Sequence, residues 1–513
     1  MGKNWDLIVA ICIYSLLGFF LFKYFLYITG VDGICYISIA QKYATGDISN
    51  AINGYWSPLF SWLLVPFFIK GFTPLSALIS SKILSLIIGL FTLIGLHWLS
   101  HRFKMDKTIR TLFVFSLIIP ILCFAFTQLT SDLLMACALL YCLVFLLDPD
   151  YPNNYFNGLM CGFAGALAYL SKSFAFPFFL VLFVLFSLLY YFKKFKDDKR
   201  VLKNLVLGLV VFFLISGSWM LVLNEKYGEW TIGTSGEYNY NALGPEAQLN
   251  HPMNMFGAVK PPNNSAVSGW EDPSYVKLKS WSPFESWSSF QYQLKLIGEN
   301  ILGMTILMFW FSLLMIPVML FGLIAYLKSP DKTFKWGVMS LLIIISFFIA
   351  GYLPFFVQTR YFYIVYFMSF LLGSFILSAF IQKSNFNKIQ KNLLLFGFFF
   401  LLVISPFITL VNNANSYGGI YELSETLRND YQVHGNIASD SEALTSLYMS
   451  YLLDSSYQGA IATNTTELDP KLIKNGIDYY LVWNTMDNID MEHYGEIKYI
   501  NEIYPRVFKV IKQ

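Results

Sequence analysis

Stretches of roughly twenty apolar residues recur along this chain, and a bilayer core is the solvent that matches their length. Segments 7–28, 75–98, 111–127, 131–147, 158–173, 175–192, 205–223, 301–327, 337–357, 361–381 and 393–411 each approach what a helix needs to cross hydrocarbon, about eleven in all. Backbone groups in hydrocarbon have to bond within the segment or around a closed barrel, and continuous runs of this length do so as helices. Only 13% of the 513 residues are charged, against about 25% in a soluble domain. The expected fold class is therefore mainly α, a polytopic transmembrane bundle. Leu7 to Thr29 lacks a small-residue cleavage site, so it reads as a span and not a signal peptide. Cys12, Cys35, Cys123, Cys137, Cys142 and Cys161 lie in or beside apolar segments without metal-ligand spacing, and read as small buried hydrophobes.

Basic residues orient the spans. Arg102, Lys104, Lys107 and Arg110 fill one loop, and Lys193 to Lys203 supply a second basic cluster. Lys328, Lys332 and Lys335 mark a third loop, and Lys383, Lys388 and Lys391 a fourth. All four fall on one side of the membrane, which makes that side cytoplasmic. The loop Asp148–Asn157 belongs with them and carries neither Lys nor Arg. The N-terminus is then inside and the C-terminal tail outside.

Three pieces are left for the outer face. Loop 29–74 opens with Val31 to Asp47, where Ser38, Gln41, Lys42 and Thr45 follow at i, i+3, i+4 and i+7. That spacing predicts an amphipathic helix along a membrane surface, with Asp32 at its head. A cap is the simple role for Asp32; an acid held at the membrane boundary also marks function. Phe60 to Phe68 is too short to span and reads as a re-entrant or interfacial helix. Loop 224–300 is rich in Trp, Tyr, Asn and Pro, and its Trp270-Glu271-Asp272-Pro273 run suits stacking on a sugar or lipid. Its His251 reads as an ordinary loop residue. In the tail, helical patterns at Gly419–Tyr431 and Glu442–Leu453 alternate with strand-like runs at Gly435–Ala438, Gly459–Ala462, Tyr479–Val482, Ile497–Ile500 and Val507–Ile511. This predicts a small C-terminal α/β domain over 412–513, beside a membrane domain over 1–411. Asn263-Asn264-Ser265 and Asn464-Thr465-Thr466 match a glycosylation sequon, a pattern common by chance.

Further charges gather at the same outer face. Asp132 stands at the outer end of the fourth span, Lys172 between two spans, and Arg360 between two more. Each has a simpler role: Asp132 as a cap, Lys172 snorkelling, Arg360 anchoring a helix end. Together they suit transfer of a sugar from a lipid phosphate. A phosphate leaving group needs positive charge more than a proton, and the acceptor hydroxyl needs one base. Glycoside hydrolysis generally needs a matched acid and base instead.

These residues resemble the GT-C superfamily of integral membrane glycosyltransferases, nearest to its protein-mannosyltransferase-like and lipid A aminoarabinose transferase-like group. The resemblance runs through Asp32-Gly33 with Tyr36 and Ala40, Tyr55-Trp56-Ser57-Pro58-Leu59, Thr130-Ser131-Asp132, Gly165 to Lys172, and Arg360-Tyr361-Phe362. It implies Asp32 as catalytic base, Asp132 at the donor or a metal, and Lys172 and Arg360 on the lipid phosphate. Tyr36, Tyr55, Trp56, Trp270, Glu271 and Asp272 are the candidate substrate-lining residues. Many relatives carry two adjacent acids in the first loop; here Val31 and Gly33 flank Asp32. That leaves Asp47 as a distant second base, and no acid pair supports a divalent metal there.

The expected activity is inverting glycosyl transfer from a polyprenyl-phosphate sugar to a glycan, lipid or protein acceptor, in a bacterial inner membrane with the site facing outward. Membrane lipids are the other expected partner, with no nucleic acid. A transporter or flippase of lipid-linked sugars is the first rival, and calls for charges deep inside several spans and an internal repeat. A non-catalytic assembly or sensor protein acting through its tail is the second.

Overall fold

The computed structural model describes residues 5–246, 257–461, 467–484, 491–497 and 505–511. Each apolar segment expected from the sequence is helical. Among the described residues, nine helices are long and apolar enough to cross a membrane, and Asp132–Leu146 and Met315–Lys328 are shorter apolar helices. The protein is a multi-pass, mainly helical membrane protein. One expected span, 301–327, is broken: Trp287–Phe311 ends at Ser312, whose backbone is extended, and Met315–Lys328 follows. Pro317 accounts for the restart, because a proline is accommodated in a first helical turn but not in an interior. His251, the Asn464 sequon and residues 498–500 lie outside the described residues.

The chain divides into two compact units. The first comprises Met1–Lys23, Lys82–Ile232 and Trp281–Ala414. Its helices Tyr155–Ser171 and Lys199–Tyr227 touch backbone to backbone at Gly158 and Gly162. A Cβ on Gly162 would stand 2.0 Å from the Gly208 carbonyl oxygen, so only glycine permits the approach. The loop without its own Lys or Arg is served by a neighbour: Arg102 reaches Asp148 at 2.7 Å and donates to the Val144 carbonyl at 2.9 Å. That contact puts the 102 and 148 loops at one end of the unit, as the order of the spans requires and the charge pattern by itself did not. The six cysteines are free; Cys12 is exposed, contrary to expectation, and the others are buried.

The second unit comprises Tyr24–Ser81, Gly233–Ser280 and Asn415–Gln513. Its sheet has the order β2-β1-β3-β5-β4, from Asn436–Ser439 (β1), Ser456–Ala460 (β2), Tyr479–Val482 (β3), Tyr494–Ile497 (β4) and Arg506–Val510 (β5). β1 is parallel to β2 and β3, and β5 runs antiparallel to β3 and β4. Ile437, Tyr479, Leu481 and Val507 meet the helices Gly418–Asn429 and Ala443–Leu452 on one face. Ala438, Tyr480, Val482 and Phe508 meet Leu468–Lys474 on the other. That last helix was not expected, since its only buried side chains are Leu468 and Leu472 among charges and a proline. Two strands sit about three residues earlier than the sequence suggested. In β2 the reason is Gly459, which lies inside the strand at φ +101 and does not open it. The segment after residue 256 runs along the free edge of β2: Val259 donates to the Gln458 carbonyl, and Tyr457 to the Val267 carbonyl, both at 2.7 Å. An edge strand covered in this way is closed to other chains.

Candidate active site

The residues singled out from sequence fall into two sets, one in each unit. In the second unit the helix Val31–Thr45 forms as its spacing predicts, but its polar stripe does not face solvent. Ser38 and Lys42 are buried, and both bond to Glu271: the Ser38 hydroxyl at 2.7 Å and the Lys42 ammonium in direct contact. Val267 N–H also donates to that carboxylate, at 3.2 Å. Gln41 donates to the Tyr451 hydroxyl at 3.2 Å. The long second loop therefore folds back onto this helix.

Asp32 is no cap. Gly30 occupies the N-cap position, and Asp32 lies in the first turn, 6% exposed. Its Oδ1 accepts the indole N–H of Trp270 at 2.9 Å, which fixes the carboxylate's direction. Trp270 is itself held, because its carbonyl accepts from Trp56 Nε1 at 3.1 Å. Asn53 braces the turn between them, accepting from Tyr55 N and Trp56 N and donating to the Glu271 carbonyl at 2.7 Å. Tyr36, Tyr55, Trp56 and Trp270 pack edge to face with centroids 4.8–5.9 Å apart. They are buried, and Trp270 joins this aromatic cluster to Asp32. Asp272 is turned to its own segment, accepting from the Ser274 hydroxyl. Asp47 accepts from Asn50 at 2.9 Å and Ser265 at 2.8 Å. These bonds, Asn50 first, hold its carboxyl below the usual carboxylate range, which weakens it as a base.

In the first unit Asp132 gathers the two cations. Ser131, not Asp132, occupies the cap, and Asp132 opens the helix at 3% exposure. It accepts from the Thr130 hydroxyl at 2.8 Å and contacts the Lys172 ammonium; Arg360 Nε lies 3.8 Å from its Oδ2. Lys172 caps the C-terminal end of Tyr155–Ser171 and turns toward Asp132. Arg360 sits on the short turn Thr359–Phe362 and donates to Gln358 Oε1 at 2.9 Å. Three helix ends thus present one carboxylate and two cations with restricted orientations. Among the described residues no three His, Cys, Asp or Glu side chains group to hold a metal ion.

Two residues escaped the sequence reading. The Tyr361 ring lies under Lys172, whose ammonium is 3.6 Å from its centroid, and under Arg360 at 5.4 Å. The signal was an aromatic residue directly following the arginine. Lys82 is fully buried in the apolar helix Pro74–Ser100 and donates to the Phe126 carbonyl at 2.6 Å. A lone lysine inside a span was the signal there.

The fold is shared with solved structures of an oligosaccharyltransferase and of ArnT, so what the resemblance drawn from sequence implies about the fold holds. Oligosaccharyltransferase from Archaeoglobus fulgidus, tethered to an acceptor peptide containing the NVT sequon, matches with TM-score 0.58 and 13% identity over 94% of this chain and 69% of its own. ArnT from Cupriavidus metallidurans bound to undecaprenyl phosphate matches with TM-score 0.57 and 11% identity, over 99% and 98% of the two chains. The same ArnT in the apo state gives 0.55 and 12%, over 98% and 97%. No protein-family profile and no curated protein sequence matches the chain.

Proposed function

We propose that this protein is an inverting glycosyltransferase that moves a sugar from a polyprenyl-phosphate donor to an acceptor on the outer face of a cytoplasmic membrane. The observation that carries the reading is the convergence of Lys172 and Arg360 on Asp132 at the ends of three helices. A fixed ammonium and guanidinium suit a lipid phosphate, the guanidinium bidentately. The shared fold supports it, since one solved neighbour binds undecaprenyl phosphate and another carries an acceptor peptide. In the reaction the acceptor hydroxyl attacks the anomeric carbon as its bond to the phosphate oxygen breaks. Asp32 takes the hydroxyl proton. Lys172 and Arg360 stabilise the charge arriving on the phosphate. Trp270 aims Asp32 through its indole N–H. Residues 1–411 act as the catalytic membrane domain, and 412–513 as an outer domain for the acceptor, which is a glycan, lipid or protein.

The test is purified protein offered a panel of polyprenyl-phosphate sugars, with released polyprenyl phosphate as the product measured. Turnover of one donor is expected, with Asp32→Asn abolishing transfer in a protein that still folds. Transfer at the wild-type rate in that variant would remove Asp32 from the mechanism, and a panel left wholly intact would overturn the reading.

A further inference from the structure

The sheet of the second unit carries a crevice that the transfer reaction does not use. The chain leaves β1 through the helix Ala443–Leu452, reaches β2, then returns past β1 to β3 through Leu468–Lys474. The two helices lie on opposite faces, with Met449 of the first against Ile437 and Leu481, and Leu472 of the second among Ala438 and Tyr480. The crossovers out of β1 and β2 therefore cover opposite faces of the sheet, and the loops after β1 and β3 meet at the carboxyl ends of neighbouring parallel strands, the edge at which open α/β sheets bind ligands. A cavity of about 500 Å³ lies there, lined by Ser441, Glu442 and Thr445 after β1, Trp483 and Asn484 after β3, and Tyr417.

The crevice is built, not incidental. Asp440 accepts from Trp483 N at 2.9 Å, Asn484 N at 3.0 Å and the Ser441 hydroxyl at 3.0 Å, tying both loops to one carboxylate. Trp483 Nε1 donates to Ser446 Oγ at 2.8 Å, which fixes the plane of the indole. Among the described residues the lining offers two aromatic rings, the Ile420 side chain, a carboxylate, an amide and the hydroxyls of Ser441, Thr445 and Tyr417, and neither Lys nor Arg. The N-terminal turn of Ala443–Leu452 offers backbone N–H groups here, but the Glu442 carboxylate on that same turn opposes a phosphate or nucleotide. A pyranose needs an apolar ring surface for its C–H face and directional polar groups for its hydroxyls. We infer that this crevice binds an uncharged hexopyranose unit of a glycan. The site is separate from the proposed transfer chemistry and stands or falls by itself.

The experiment is saturation-transfer NMR on the full-length solubilised protein, with methyl glucopyranoside, mannopyranoside, galactopyranoside and N-acetylglucosaminide as probes and inorganic phosphate as the contrast. One or more glycosides saturates the signal. Glu442→Gln and Thr445→Ala each weaken binding about tenfold, the scale of one lost hydrogen bond to a charged or polar group. Trp483→Ala removes binding and Trp483→Phe retains part of it, with unfolding temperature as the check on folding. Asp32→Asn leaves binding unchanged, which separates this site from the transfer reaction. Binding by no glycoside, binding undiminished in both Glu442→Gln and Thr445→Ala, or phosphate bound in place of sugar would overturn the assignment.

Discussion

Lys42–Glu271 and Lys172–Asp132 join the same two chemical groups in different settings. Lys42 and Glu271 keep only 4% and 2% of their side-chain exposure, and the carboxylate is saturated by Ser38 and Val267 as well. Lys172 keeps 23%, shares its carboxylate with Arg360 and rests on the Tyr361 ring. The sealed pair is a fastener between a helix and a distant loop. The open pair leaves cationic surface where an incoming anion can reach it. A lysine–carboxylate contact alone does not reveal which role it plays; residual exposure does.

The comparison breaks most visibly at the sealed pair. Glu271→Ala leaves a buried ammonium without its main partner and costs about 3–5 kcal/mol, read as early proteolysis near residues 257–280 and a lowered unfolding temperature. The double variant Lys42→Met, Glu271→Leu recovers most of that loss, because two apolar groups of similar size do not need each other's charge. A single variant that unfolds like wild type would show that the contact fastens nothing. At the open pair Lys172→Met has the reverse profile: donor turnover falls about a hundredfold, while the stability loss is smaller than that of Glu271→Ala, because the buried Asp132 carboxylate keeps Arg360 and the Thr130 hydroxyl. Equal damage to stability and turnover would erase the distinction. Trp270→Phe keeps the packed ring and removes the bond to Asp32, so kcat drops about tenfold with the donor KM unchanged. The smallest effect belongs to Asp47. Its folded-state carboxyl lies below its unfolded value, so its contribution is present above the ordinary carboxylate range and is lost as pH falls through the folded value. Hydrogen-exchange protection at residues 263–267, taken relative to the intrinsic exchange rate at each pH, therefore falls on acidification from about pH 5 to about pH 3, and Ser265→Ala weakens that dependence.

The bundle was legible because hydrocarbon imposes length and composition on every span, and each helix carries that signature locally. The break after Phe311 was less visible, since Ser312 and Pro317 lie within an otherwise unbroken apolar run. The α/β tail was readable from alternating apolar runs, except where Leu468–Lys474 buries too little to show a period. Of the candidate residues, Asp32, Asp132, Lys172 and Arg360 stood out as charges at the ends of apolar segments. The partner of Lys42 did not, because no local pattern connects it with Glu271, 229 residues away. The polar stripe on Val31–Thr45 was visible, but what it faces depends on tertiary folding.

That separation has a consequence for biogenesis. Lys42 is synthesised long before the ribosome reaches Glu271, so the nascent chain has to keep an ammonium hydrated on a helix whose final place is dry. The partner of Gln41, Tyr451, is made later still, and the sheet that orders the second loop closes only once β5, Arg506–Val510, is made. A chain that stops after residue 413 therefore carries the apolar helices of the bundle but leaves Gln41 of Val31–Thr45 without Tyr451. Such a chain presents to the quality-control machinery the groups that full-length translation hides.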